Sequence, residues 1–265
     1  MRVAVTGCAG EIGREVTEEL SGNHELSLID RLQMPGRRSS IVDLAQHRVR
    51  NRRRPWLKER LPPWMSIFDG IDVVVHLAAE PNPSAAWEGI IRNNIQATWN
   101  VIEAAAIHHV PRIVFASSNW TVKALENKLA PDCYKPEGPK IGSDVPPSPL
   151  TAYGLSKAVG EIAGRMFVED GKLRCFIAVR IGYYNRQPPT DELLRRRWIG
   201  SDDIRSLFRR CVDAEVNGFH VVYGVSAQPI APYDLSHTAE LIGWKPRQTL
   251  LSRTANNRNM FQMQE

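Results

Sequence analysis

Residues 2–6 read Arg-Val-Ala-Val-Thr, run into Gly7-Cys8-Ala9-Gly10-Glu11-Ile12-Gly13, and are followed by a helical pattern over about 11–20. A glycine loop set between a strand and a helix restricts the fold of this chain more than any other feature. Glycines let the backbone turn sharply and approach a pyrophosphate, whose charge then rests on the helix N-terminus. The next strand, 25–29, leads into Asp30. A carboxylate at that point accepts hydrogen bonds from ribose hydroxyls and repels a 2′-phosphate, so NAD is favoured over NADP. Arg31 follows directly, with Arg37 and Arg38 close by, and each could partly offset that preference. Taken alone, the loop could be a tight turn with chance glycines; strand, helix and Asp30 together meet the dinucleotide fingerprint.

The rest of the chain alternates in the same way. Apolar strands are expected at 72–77, 112–117, 174–181 and 219–223, with a short one at 40–42. Helices are expected at 85–108, 151–168 and 235–242, the last stopped by Gly243. Strands separated by helices predict an α/β, Rossmann-like doubly wound parallel sheet. Residues 1–182 read as an NAD-binding domain with the catalytic groups, 183–247 as a small substrate-binding region packed on it, and 248–265 as a flexible polar tail. Ser201 or Asp202 is the expected N-cap of one more helix. The stretch 131–149 holds six prolines and two glycines, which predicts an irregular surface loop.

Composition serves mainly to exclude. The net charge of +5 is concentrated at 48–60, where Arg48, Arg50, Arg52, Arg53, Arg54, Lys58 and Arg60 face only Glu59. Such a run marks contact with nucleic acid or an acidic ligand, or is simply a solvated face. No stacking platform or nucleic-acid motif accompanies it, so no nucleic-acid partner is expected. No apolar stretch has the length of a membrane span. The strand-like Val3-Ala4-Val5 leaves no room for a targeting segment. Cys8, Cys133, Cys175 and Cys211 are scattered, which predicts reduced thiols in a cytoplasmic protein. The histidines show no metal-binding spacing, so no metal is expected. His76 reads as a satisfied core or near-cofactor histidine, and His108 and His109 as charges at a helix end. Trp198 and Trp244 read as packing residues. Lys135, in the proline-rich loop, could meet a carboxylate or phosphate or stay exposed.

Tyr153-Gly154-Leu155-Ser156-Lys157 sets a tyrosine and a lysine four residues apart, on one helix face. A phenol is a poor base at its ordinary pKa, but a nearby ammonium and an oxidised nicotinamide favour the phenolate. Upstream, Phe115-Ala116-Ser117-Ser118-Asn119 ends a strand, so a serine at its tip can hold a substrate hydroxyl beside Tyr153.

With these motifs in one order, the chain resembles the extended short-chain dehydrogenases, the NAD-dependent epimerase/dehydratase group. The matching segments are TGCAGEIG (6–13), Asp30, VVVHLAAE (73–80), NNIQAT (93–98), IVFASSN (113–119), YGLSK (153–157) and VRIG (179–182). Within that group FASSN (115–119), WIGSDD (198–203), VVYGVSA (221–227) and LIGWKP (241–246) are similar to uronate dehydrogenases and NAD-dependent glucose-6-phosphate dehydrogenases, which oxidise a sugar's anomeric hydroxyl to a lactone. The resemblance implies Tyr153 as general base, Lys157 as its electrostatic partner, Ser118 as holder of the substrate hydroxyl, and Asn94 supporting the lysine through a water. It implies NAD contacts from Gly7, Gly10, Glu11, Ile12, Gly13, Asp30, Arg31, Asp43, Leu44, Leu77, Ala78, Ala79, Asn94, Tyr153, Lys157 and Ile181. Glu80, Ser117, Ser118, Asn119 and Arg195 would face the sugar.

The 48–60 run has the look of an insertion relative to that group, and Trp120 stands where the subfamily usually has a histidine. Leu193 occupies the place of the subfamily's anion-gripping arginine, so one of Arg195, Arg196 and Arg197 takes over that task or the substrate is uncharged. The segment after Gly182 is short beside those that clasp nucleotide-sugars, which suits a small sugar. A homo-oligomer with a sugar substrate and no membrane partner is expected. The alternatives are a sugar epimerase or dehydratase with tightly held NAD, and a non-catalytic dinucleotide-sensing regulator.

Overall fold

Every residue of Val3–Val5 is buried, because this strand lies in the middle of a sheet covered on both faces. In the computed structural model, which describes residues 1–46 and 61–250, seven parallel strands stand in the order β3-β2-β1-β4-β5-β6-β9. They are β1 (Arg2–Thr6), β2 (Glu25–Asp30), β3 (Ser40–Ile41), β4 (Val73–His76), β5 (Arg112–Ser118), β6 (Cys175–Ile181) and β9 (Gly218–Gly224). A two-stranded parallel pair, β7 (Tyr183–Tyr184) and β8 (Trp198–Ile199), stands apart from the sheet. The basic run at 48–60 and residues 251–265 lie outside the described residues.

Alternation along the strands divides the apolar side chains between two cores. Val3, Val5, Val73, Val75, Val114 and Ile177 join one face, covered by α1 (Glu11–Leu20) and α7 (Ser201–Asp213). Ala4, Val74, Ile113, Phe115 and Phe176 join the other, covered by α3 (Ala97–Ile107) and α5 (Ala152–Glu169). The rings of Phe115 and Phe176 lie against Gly160 and Gly164 of α5, where a Cβ would meet ring atoms at 2.5 Å. That close approach holds Lys157 of the same helix over the end of β5. The order reverses between β1 and β4, and a crevice at the carboxyl ends of strands on either side of such a switch point is where open α/β sheets bind ligands.

Several local expectations are corrected. The helix expected at 85–108 is α2 (Trp87–Ile90) continued by a π-helical turn (Ile91–Gln96) into α3. That wider turn carries Arg92 and Asn94, whose side chains leave the helix for Asp43 and for the Glu80 backbone. Inside the proline-rich stretch, residues Asp132–Tyr134 form a 3-10 turn, and Lys135 is exposed and paired with Asp132. A helix not anticipated, α4 (Lys123–Leu129), precedes it, and α6 (Glu192–Arg195) joins β7 to β8. Gly200, not Ser201 or Asp202, caps α7. The second aspartate, Asp203, is buried and accepts hydrogen bonds from the backbone N–H groups of Arg247 (2.7 Å) and Gln248 (3.0 Å) and from Ser226 Oγ (2.7 Å). Gln248 is thus anchored, although polar composition places it in the tail. The sheet likewise crosses the 182/183 boundary, since β9 comes from the later stretch. His108 pairs with Asp69 at the end of α3, and α8 (Ser236–Ile242) stops at Gly243 in the left-handed conformation, φ 64°.

Candidate active site

A cleft of about 770 Å³ opens along the carboxyl ends of β1, β2, β4, β5 and β6. At one end Gly7 turns with φ +75°, a conformation open to glycine, and its backbone N–H donates to Ile29 C=O. A Cβ on Gly7 would lie 2.5 Å from Ala78 N, and one on Gly13 would lie 2.0 Å from Gly7 O. The loop therefore has room for a backbone and a phosphate but for no side chain. Asp30 stands beside it with its carboxylate fixed by the N–H groups of Ala9 (2.9 Å) and Leu32 (3.1 Å). Asp43 and Leu44 line the same end, and Asp43 is engaged by Arg92, a partner that sequence spacing gave no hint of. Glycine cradle, fixed carboxylate and apolar slot together fit a dinucleotide.

At the other end Tyr153 and Lys157 project from α5, whose Thr151 N-cap hydroxyl accepts from Gly154 N–H at 3.0 Å. Lys157 is 4% exposed; its Nζ donates to Ala116 C=O at 2.8 Å and lies 5.8 Å from the Tyr153 ring centre. Burial draws the ammonium pKa down to about 7. The Tyr153 phenol is pushed up by burial, against the opposing pull of a hydrogen bond with Ser118. His76 lies beneath, bonded to Thr6 (2.7 Å) and Thr98 (3.0 Å), and burial lowers its pKa to about 3, so it is a neutral core histidine.

Of the residues expected at the site, Gly7, Gly10, Glu11, Ile12, Gly13, Asp30, Arg31, Asp43, Leu44, Leu77, Ala78, Ala79, Ser117, Ser118, Asn119, Tyr153, Lys157 and Ile181 line the cleft. Asn94, Glu80 and Arg195 are outside the lining. Asn94 instead clasps the backbone of Glu80 in both directions, at 2.7 and 3.1 Å, and donates to Ser156 Oγ at 3.0 Å. Ser117 lines the cleft, but its hydroxyl donates to Glu161, which also holds Arg180 in a buried ion pair. Trp120, Tyr183, Leu194 and Arg197 complete the wall near Tyr153. Behind that wall is a polar cluster the sequence did not reveal. Glu126 is fully buried and accepts from Tyr134 Oη (2.8 Å), Tyr233 Oη (2.9 Å) and the Arg197 guanidinium, while Asn119 Nδ2 donates to Tyr233 Oη at 2.9 Å. The aspartate at 203 and the glutamates at 15, 126 and 161 are each partnered, as buried carboxylates must be.

No group of three or more His, Cys, Asp or Glu side chains suited to a metal occurs among the described residues, and no described helix is long and apolar enough to cross a membrane. The sheet order and the glycine cradle define a Rossmann-type dinucleotide-binding protein. Residues 3–186 match the model of the NAD dependent epimerase/dehydratase family, and the chain belongs to that family. It is 31% identical over 259 residues to L-arabinose 1-dehydrogenase (NAD(P)(+)) of Haloferax volcanii, covering 93% of this chain and 96% of that protein. It is 34% identical over 251 residues to uronate dehydrogenase of Agrobacterium fabrum, covering 93% of this chain and 84% of that one. A crystal structure of a uronate dehydrogenase mutant from Agrobacterium tumefaciens complexed with NAD superposes with a TM-score of 0.75 at 30% identity, covering 100% of this chain and 90% of that chain. This is an NAD-dependent oxidoreductase acting on CH–OH groups.

Proposed function

We propose that this chain oxidises the anomeric hydroxyl of a free sugar to a lactone, with Tyr153 as the base. The observation that carries the reading is the convergence of Ser118, Tyr153 and Lys157 where the dinucleotide cleft meets the wall formed by Asn119, Trp120 and Tyr183. Both curated relatives described above are named as sugar dehydrogenases, which supports the same reading. Ser118 Oγ would hold the sugar oxygen, Tyr153 would take its proton, and Lys157 would stabilise the phenolate that accepts it. The glycine cradle and Asp30 would hold NAD, which when bound would supply the acceptor for the hydride of the anomeric carbon. Asn94 would act by fixing the Glu80 loop and Ser156 rather than by touching the sugar. Initial rates of NADH formation across glucose, galactose, arabinose, glucuronate, galacturonate and glucose 6-phosphate test this. NADH from at least one sugar, with NADP poorly used, is the expected result. NAD retained through purification with no net NADH from any of them would point to epimerisation instead.

We also infer a homo-oligomer built on the paired long helices. Leu155, Ile162 and Met166 recur on one face of α5 and are 42%, 61% and 45% exposed, beside exposed Trp87, Ile91 and Trp99 of the neighbouring helix. An apolar surface of this kind is normally covered in solution. Ile162→Arg should convert the oligomer to monomer in light scattering. An unchanged mass would show that this face is not the interface.

A further inference from the structure

Arg197 lines the substrate end of the cleft, where the dehydrogenase reading above places the sugar. It comes from the Arg195–Arg197 run in which an anion-binding arginine is expected, yet its hydrogen-bonding capacity is largely spent. Its Nε donates to Glu126 Oε1 at 2.8 Å, its Nη2 donates to the same oxygen, and Nη2 also reaches Tyr134 Oη at 3.4 Å. A guanidinium grips a carboxylate or phosphate through two parallel N–H groups on one edge. Here Glu126 occupies the Nε–Nη2 edge, and Nη2 is also committed to Tyr134. Nη1 remains, which suits a single hydroxyl.

The opposing charge is not removable by rotation. Glu126 is 0% exposed and is held on its other oxygen by Tyr233. Lys123 adds a second cation at 3.5 Å from behind and does not line the cleft. The neighbouring cations hold the Glu126 carboxyl below the ordinary carboxylate range despite its burial, so it keeps its charge at neutral pH. Arg196, which pairs with Glu192 and lies across the Tyr134 ring, and Arg195 both stand outside the lining. The remaining wall, Trp120, Tyr183 and Leu194, is uncharged.

We propose that Glu126 is a specificity-determining residue: by holding Arg197 it withholds the guanidinium from acidic sugars and fits the site to an uncharged aldose. An incoming carboxylate would find no free two-pronged edge and would lie close to a buried like charge. The same carboxylate positions Tyr233, and through it the Asn119 amide, for a neutral hydroxyl-bearing ligand.

The test compares each aldose with the acid that replaces its terminal CH2OH by a carboxylate: glucose with glucuronate, and galactose with galacturonate. The wild-type protein should favour the aldose at least about tenfold in kcat/KM. Glu126→Gln should move that ratio at least about tenfold toward the acid, mainly through the KM of the acid, whereas Glu126→Asp should keep the wild-type order. Each ratio is taken within one preparation, so a loss of folded protein cancels. A wild-type protein that prefers the acid, or a Glu126→Gln protein with an unchanged ratio, overturns the proposal. Calorimetric binding of the same pairs to NAD-loaded Tyr153→Phe protein gives the ratio without turnover. Aldose-selective binding with no NADH from any sugar would sink the dehydrogenase reading and keep this one; NADH formed faster from the acid would do the reverse.

Discussion

Replacing Tyr153 with phenylalanine is expected to lower kcat by about 10²–10⁴-fold, the usual worth of a positioned general base, while NAD affinity changes by less than about twofold. The substitution removes one oxygen from a side chain that lines the cleft, and leaves Lys157 anchored to Ala116 and Ser118 at the strand tip. Cofactor binding is expected to rest chiefly on the glycine cradle and Asp30 at the far end, with only a small share from Tyr153. Measuring NAD binding by fluorescence beside sugar turnover separates the two effects. Retained turnover would show that another group takes the proton.

The pH profile gives the same assignment a second test. Burial pushes the Tyr153 phenol above its ordinary range and draws the Lys157 ammonium down to about 7. Near neutrality the pair is thus a protonated phenol beside a half-charged lysine. The two are coupled with opposite sign: a phenolate would raise the lysine pKa, and a charged lysine would lower that of the phenol. Deprotonation of Tyr153 should therefore leave turnover rising with pH in the wild-type protein. Any residual turnover of Tyr153→Phe should lose that rise.

Much of this site was legible because its signals are local. A glycine loop between a strand and a helix, an aspartate at the next strand end, and a tyrosine four residues before a lysine each sit within one element or one turn. Strand alternation likewise placed β1, β4, β5, β6 and β9 to within a residue or two. What escaped depends on pairs distant in sequence. Glu126 belongs to no motif and lies in a helix the sequence pattern does not announce, and only the fold brings Tyr233 and Arg197, 107 and 71 residues later, onto its two oxygens. Ser201 and Asp202 draw the N-cap reading because serine and aspartate favour N-caps, and Asp203 beside them carries no signal of its own. Burial beside the chain near Gln248 gives its carboxylate backbone N–H partners that no local pattern encodes. Arg195 stands outside the cleft for the same reason: α6 ends at Arg195, and the turn that follows it, not the helix, brings Arg197 to the cleft.

The largest effect on the cofactor should come from Gly13→Ala, a change of one methyl group. An alanine Cβ at that position would sit 2.0 Å from the Gly7 carbonyl oxygen, 2.8 Å from Cys8 Cα and 2.9 Å from Cys8 C. All three are backbone atoms, so no side chain can swing aside, and the first turn of α1 must move away from the loop that faces the pyrophosphate. Forced overpacking of this kind costs about 1–3 kcal/mol, and each 1.4 kcal/mol of strain released on leaving the NAD-binding geometry weakens binding about tenfold. We expect an NAD dissociation constant raised by roughly 10–100-fold on that scale, with a lower melting temperature. Gly10→Ala, whose Cβ would lie 3.3 Å from Gly7 O, should be milder, and Gly89→Ala, with no heavy atom within 4 Å, should leave NAD binding unchanged. Equal affinity losses for the alanines at 10 and 13 would mean that helix propensity or general destabilisation, and not contact with the loop backbone, governs the cradle.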